Sequence, residues 1–281
     1  MIILKNEKLE VKIAEFGAEI KSVLKDGVEY FWNSAPEIWG KSAPLMFPIC
    51  GGLKDNKYIF EGKEYYLPKH GFAQTKMFTV ESQDDTSAVF LLKDDEKTRE
   101  SYPFSFELRV IYTLLEDSIK IGYEVKNLDN KTMYFNLGSH EAYYTPEGIE
   151  DYDIIFPEKE TLTASYLYGS QLAYNGYTVL KDSNVLPLYE KYFAIDALVF
   201  TEIKSRSATL RNRKTGRSVT VDFPDASYFL LWHKSGAPYM CLEPWGGIPD
   251  YHDSNYDITT KPGITMLGSG KTYNCSHTIK F

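Results

Sequence analysis

Apolar and polar positions alternate along most of the chain with the period of two that a half-buried β-strand requires. Phe106, Leu108, Val110, Tyr112 and Leu114 fall on one face. After Glu116-Asp117 they are answered by Ile119, Ile121, Tyr123 and Val125. Glu107, Arg109, Lys120, Glu124 and Lys126 occupy the opposite face, so the two runs predict an antiparallel hairpin. Leu9, Val11 and Ile13 alternate with charged partners, and Asp26-Gly27 predicts a tight turn before an apolar run at 28–32. Tyr58-Ile59-Phe60 and Tyr65-Tyr66-Leu67 flank Glu61-Gly62-Lys63 as a short hairpin, and the runs 77–80 with 88–92 and 208–213 with 218–223 predict two more. No segment of about 12 residues carries a helical period, although 94–100 suits a short helical turn before Tyr102-Pro103. The stretch 161–191, rich in Tyr, Ser and Asn, breaks the alternation and reads as a long loop excursion over the sheet. The pattern predicts a single all-β domain over 1–281, a large antiparallel sandwich with very little helix, with a barrel as the main alternative.

Composition narrows the function classes. Hydrophobic residues at 43% supply a packed core, and 22 Tyr with 16 Phe favour strands and ring-lined clefts. A net charge of −8 argues against nucleic-acid and anionic-membrane partners, whose binding needs clustered Lys and Arg. No run approaches ~18 apolar residues. The N-terminal MIILKNEKLEVKI has neither a long apolar region nor a small-residue cleavage site, so the chain reads as cytoplasmic. Cys50, Cys241 and Cys275 form neither a disulfide framework nor a CxxC zinc signature; Cys50 and Cys241 read as small buried hydrophobes.

The chemistry concentrates at 239–250, where an apolar strand-like run leads into Glu243, Pro244, Trp245, Gly246 and Gly247. Glu is rare inside strands and Pro244 cannot donate to a ladder, so pairing is expected to break at Glu243. An indole face and a carboxylate together suit a sugar, one stacking on the ring and the other accepting a hydroxyl proton. Two histidines have unusual settings, His70 between Pro68-Lys69 and Gly71, and His140 in Gly138-Ser139-His140-Glu141. Imidazole and carboxylate together suit proton exchange near neutral pH. A metal site from His70, His140 and Glu243 is disfavoured, because no pair has the spacing that marks most catalytic metals. A glycosidase pairing Glu243 with Asp250 or Glu141 lacks a second carboxylate in a clearly apolar setting. His233, His252 and His277 read as structural or surface residues.

These segments resemble the aldose 1-epimerase (galactose mutarotase) family, and within it the LacX-like subgroup. The resemblance is carried by Pro44-Leu45-Met46-Phe47-Pro48-Ile49-Cys50-Gly51-Gly52-Leu53-Lys54-Asp55-Asn56-Lys57-Tyr58 followed by Leu67-Pro68-Lys69-His70-Gly71-Phe72-Ala73. Gly138-Ser139-His140-Glu141-Ala142-Tyr143, the pair Leu186-Pro187-Leu188 and Asp196-Ala197-Leu198-Val199-Phe200, and Cys241-Leu242-Glu243-Pro244-Trp245-Gly246-Gly247 follow in the family's order. The resemblance implies a β-supersandwich that interconverts the α- and β-anomers of an aldohexose with neither metal nor organic cofactor, as a monomer or homodimer. It implies Glu243 as the base at the C1 hydroxyl, His140 as the acid at the ring oxygen and His70 as its holder. Trp245, Asp250 and Lys54 are expected to contact the sugar. Many relatives carry Gly-Arg where this chain has Gly51-Gly52, which leaves a weakly active sugar-binding protein and a hexose 6-phosphate epimerase as alternatives. With the arginine absent, a phosphate would have to be met by Lys41, Lys54 or Lys69.

Overall fold

A computed structural model describes residues 1–281 as an antiparallel β structure with one six-residue α-helix, Glu96–Ser101. The largest sheet has nine strands, six of which form three of the hairpins that the alternation predicted. Phe106–Leu114 pairs with Ser118–Asn127, setting Leu108 opposite Val125 and Val110 opposite Tyr123. Thr272–Lys280 closes the other side of Ser118–Asn127 and passes the sheet on to Ser218–Asp222 and Ser207–Asn212. Inward residues alternate with half-exposed ones through the whole of Phe106–Leu114, as a sheet with one wet face requires. The helix starts on Asp95, whose carboxylate accepts the Thr98 N–H while the Thr98 hydroxyl accepts the Asp95 N–H.

A four-stranded sheet orders Glu141–Tyr144, Tyr239–Trp245, Tyr228–Trp232 and Leu198–Phe200. One core of 64 buried residues joins it to the large sheet, with Val110, Ile121 and Ile279 on one side and Leu231, Met240 and Leu242 on the other. The chain thus adopts the β-supersandwich that the resemblance implies. No helix is long and apolar enough to cross a membrane.

Two expectations are corrected. The 161–191 stretch is no loop: Tyr152–Tyr168 and Gln171–Pro187 are the two longest strands and pair with each other at the end of the large sheet. Register shifts along this pair scramble the period of two, which is why the alternation disappears from the sequence. Pairing also continues through Glu243, with Pro244 opposite Phe229 and Trp245 opposite Tyr228. Pro244 still accepts the Ser139 N–H at 3.2 Å, and the Trp245 indole N–H donates to the Ser139 carbonyl at 3.2 Å. The indole supplies the ladder bond that proline lacks.

Candidate active site

The strand Tyr239–Trp245 is buried along its full length between two neighbours, so any side chain pointing off its sheet face lies on a floor. Glu141 pairs with Leu242 and Ser139 donates to Pro244, which sets His140 directly across from Glu243. On the other side Leu230 is opposite Glu243 and Trp232 opposite Cys241. The result is a cleft of about 220 Å³, below the ~300–1,000 Å³ of clefts for drug-sized ligands and on the scale of a single sugar ring. Its lining includes His70, His140, Glu243, Trp39, Trp232 and Trp245.

His70 reaches this floor from a strained turn. Its φ is +69°, its N–H donates to the Gly51 carbonyl at 2.8 Å, and its Nδ1 accepts the Gly51 N–H at 3.1 Å. Nδ1 is therefore an acceptor, and the proton of the neutral ring sits on Nε2. Gly71 follows with φ +70°, where a Cβ would lie 2.3 Å from the Phe47 carbonyl oxygen, so only glycine completes the turn. The His70 ring meets His140 and Trp245 edge-on, with centroids 5.7 and 5.6 Å away. Trp39 covers His140 at 5.2 Å and Trp232 abuts it at 5.5 Å.

His140 Nδ1 and Glu243 Oε1 are 3.5 Å apart, longer than a hydrogen bond, and Nδ1 is buried without a hydrogen-bond partner. Glu243 Oε2 accepts the Trp245 indole N–H at 3.2 Å. Burial raises the Glu243 carboxyl well above its ordinary range, with Lys69 opposing and Glu141 adding to the shift. Burial also pulls His140 down to about 3, and takes His70 well below its usual value with help from His140, Lys69 and Lys41. Desolvation thus makes the carboxylate a stronger base and the imidazolium a stronger acid.

Of the residues singled out in the sequence, His70, His140, Glu243 and Trp245 line one cleft, whereas Asp250 and Lys54 lie outside its lining. Asp250 is buried in an ion pair with Lys261, Oδ1 to Nζ 2.9 Å, and its Oδ2 accepts the Lys54 N–H at 3.0 Å. The Lys54 ammonium reaches the Ser254 carbonyl and the Tyr256 ring instead. Lys41 and Lys69 do line the cleft, Lys41 donating to the Gln74 side chain and Lys69 lying 3.7 Å from Asp196. Glu141, the alternative second carboxylate, turns away from Glu243 and meets His277 at 3.0 Å. A Cβ on Gly52 would lie 2.4 Å from Ser170 Oγ, so the tip of the long hairpin packs directly against position 52. Trp39 has no periodic signal in the sequence, but Trp232 was readable: it lies two residues from Leu230, on the face that Glu243 shares.

A family model described as aldose 1-epimerase matches residues 1–278. Protein LacX of Lactococcus lactis subsp. lactis, plasmid form, is 36% identical over 281 residues, covering 95% of this chain and 94% of that protein. The solved structure of a galactose mutarotase related enzyme from Lactobacillus acidophilus superposes with a TM-score of 0.95 at 34% identity, covering 99% of this chain and 96% of that one. A galactose mutarotase-like protein from Lactobacillus casei ATCC 334 gives 0.91 at 29% identity, covering 100% and 99%.

Proposed function

The chain belongs to the aldose 1-epimerase family, and from that premise we propose that it interconverts the α- and β-anomers of a free aldohexose by acid–base ring opening and reclosure. The observation that carries the reading is the placement of His140 and Glu243 across one strand pair, 3.5 Å apart on the floor of an indole-walled cleft.

Ring opening removes the proton from the C1 hydroxyl and places one on the ring oxygen as the C1–O5 bond breaks. The free aldehyde rotates about C1–C2 and recloses on its other face with the two roles exchanged. In this reading Glu243 takes the C1 hydroxyl proton, His140 delivers one to the ring oxygen, and the Nε2–H of His70 donates to that oxygen. The Glu243–His140 pair needs a single proton between its members, and burial in the open cleft favours its neutral form. A sugar hydroxyl donating to Glu243 stabilises the carboxylate and shifts that proton to His140, which is the reactive form. Each positioned group contributes on the order of 10²–10⁴-fold.

A hexose 6-phosphate is the second reading, favoured by Lys41 and Lys69 on the cleft lining. The lining has no arginine, Asp196 already neighbours Lys69, and an ammonium grips phosphate without a bidentate fork, so the neutral sugar is preferred. Following the optical rotation of fresh α-glucose, α-galactose and glucose 6-phosphate with and without protein tests both readings. Protein that leaves all three rates at the spontaneous value is a sugar-binding protein at most. A preference above tenfold for the phosphate reverses the ranking of substrates.

A further inference from the structure

Beneath the floor of the cleft, outside its lining, lies a third ligating side chain that the acid–base reading does not use. Cys241 precedes Glu243 by two residues on the same strand, so both side chains leave the same face, and His140 is opposite Glu243. One ligand atom each from His140, Cys241 and Glu243 lies within 4.8 Å of the others, and all three residues are buried. His140 Nδ1 is buried with no hydrogen-bond partner and lies 3.5 Å from Glu243 Oε1. Two nitrogen or oxygen ligands at ~2.1 Å from a tetrahedral zinc are separated by roughly 3.4 Å, so this pair is already at the spacing of a shared metal.

We propose that His140, Cys241 and Glu243 form a site for one borderline-soft divalent cation such as Zn2+, and that the bound cation inhibits the enzyme. A thiolate, an imidazole and a carboxylate prefer Zn2+ or Co2+ over the hard cations Mg2+ and Ca2+. Three protein ligands leave a fourth tetrahedral position for a water. Binding sends two protons to solvent, the Cys241 thiol proton and the single proton of the Glu243–His140 pair, and engages one lone pair on Glu243 and one on His140. Neither group is then free to exchange protons with a sugar. This inhibition rests on the functional reading above, whereas occupancy of the site does not.

The test uses the full chain, stripped with a chelator and titrated with Co2+ alone. One Co2+ per chain is expected, with a thiolate-to-cobalt charge-transfer band in the near ultraviolet and strong tetrahedral d–d absorption. X-ray absorption at the zinc edge should count one sulfur ligand at about 2.3 Å, a measurement that needs no variant. Cys241→Ser should lose the charge-transfer band and bind at least about tenfold more weakly, since losing even an outer-shell partner weakens metal sites 10–100-fold. Zn2+ should slow anomer exchange in the parent at concentrations about tenfold below those needed for Cys241→Ser. A parent spectrum without sulfur ligation overturns the proposal, as does an unchanged band in Cys241→Ser, which would place the metal on Cys50 or Cys275. If the parent shows no anomer exchange at all, the functional reading falls and the cobalt spectrum still decides the site.

Discussion

Replacing Glu243 with Gln should abolish most anomer exchange while leaving the cleft standing. The side chain is 2% exposed, so a smaller residue would leave a cavity and a charged one an unpaired buried ion. Gln keeps the volume. Its carbonyl can accept the Trp245 indole N–H, now 3.2 Å from Oε2, and its amide can donate to the unpartnered His140 Nδ1. What disappears is the ability to take a proton, and nothing nearby replaces it. Asp196 pairs with Lys69 at 3.7 Å, and Glu141 is committed to His277 at 3.0 Å. With no substitute base, the loss belongs at the upper end of the span for general-base catalysis, about 10³–10⁴-fold or roughly 4–5.5 kcal/mol of barrier.

Stability should move the other way. Burial raises the Glu243 carboxyl above its unfolded value, so the folded form binds more protons than the unfolded. The stability this contributes is complete below the unfolded value of about 4.3 and is lost as pH rises through the raised one. A Gln does not titrate, so the variant should unfold at or above the parent's temperature at pH 8. Saturation-transfer NMR on equilibrated glucose or galactose, corrected for spontaneous exchange, measures turnover, and a thermal melt measures stability. Exchange within about tenfold of the parent, in a variant that still binds sugar, refutes the assignment of Glu243 as the base.

Among the histidines, the proposed roles, with His140 delivering the proton and His70 holding the ring oxygen, require His140→Asn to lower turnover at saturating sugar more than His70→Asn; the reverse order would exchange their roles. His140→Asn should also flatten the acid limb of stability. With a folded value of about 3 against roughly 6.5 unfolded, the parent is fully supported above pH 6.5 and loses up to about 1.4 kcal/mol per pH unit as pH falls toward 3. Denaturant melts at pH 7 and 4.5 check the slope. Lys261→Met strands Asp250 in the interior and should lose about 3–5 kcal/mol in denaturant unfolding; a loss below 1 kcal/mol would mean that the pair at 2.9 Å is not buried as described. Gly52→Arg should weaken sugar binding, because its Cβ would displace Ser170, and a titration that shows tighter binding of glucose or glucose 6-phosphate contradicts this.

Most of the large sheet was legible because each hairpin buries one face and keeps strict alternation, so Phe106–Leu114 and Ser118–Asn127 could be paired from sequence alone. The long hairpin was not, because register shifts between Ile155 and Leu167 move side chains from one face to the other. Glu243, His140, His70 and Trp245 stood out as residues whose chemistry conflicts with their local setting, a carboxylate in an apolar strand and imidazoles beside glycine. That conflict was visible without knowing what surrounds them. Trp39 carried no such conflict, and its position over His140 depends on long-range packing. Pro244 misled for a physical reason: the missing ladder donor is supplied by the indole of the next residue, a bond that only the folded geometry reveals.

Asp250 shows how the same reasoning finds an important residue and misplaces its role. A carboxylate seven residues after Glu243, beyond two glycines and two prolines, reads as a hydroxyl ligand. In the fold it is a tie between four segments. Its N–H donates to the Gly52 carbonyl at 3.0 Å and its carbonyl accepts the Leu172 N–H at 2.8 Å. Its side chain holds the Lys54 N–H and the Lys261 ammonium, which also donates to the Ile248 carbonyl at 2.8 Å. Those ties fix the residues that do face the cleft: Gly51 and Pro249 on one wall, and Leu167 and Ser170 on the tip of the long hairpin. A Cβ at position 52 would run into Ser170 at the hairpin tip, so the glycine there and the placing of the hairpin are two parts of one arrangement. The wall that Gly51 and Pro249 share with the hairpin tip is therefore set by backbone ties and a serine instead of a cation. Such a wall offers hydroxyl and carbonyl partners to a neutral sugar and no fixed charge to a phosphate.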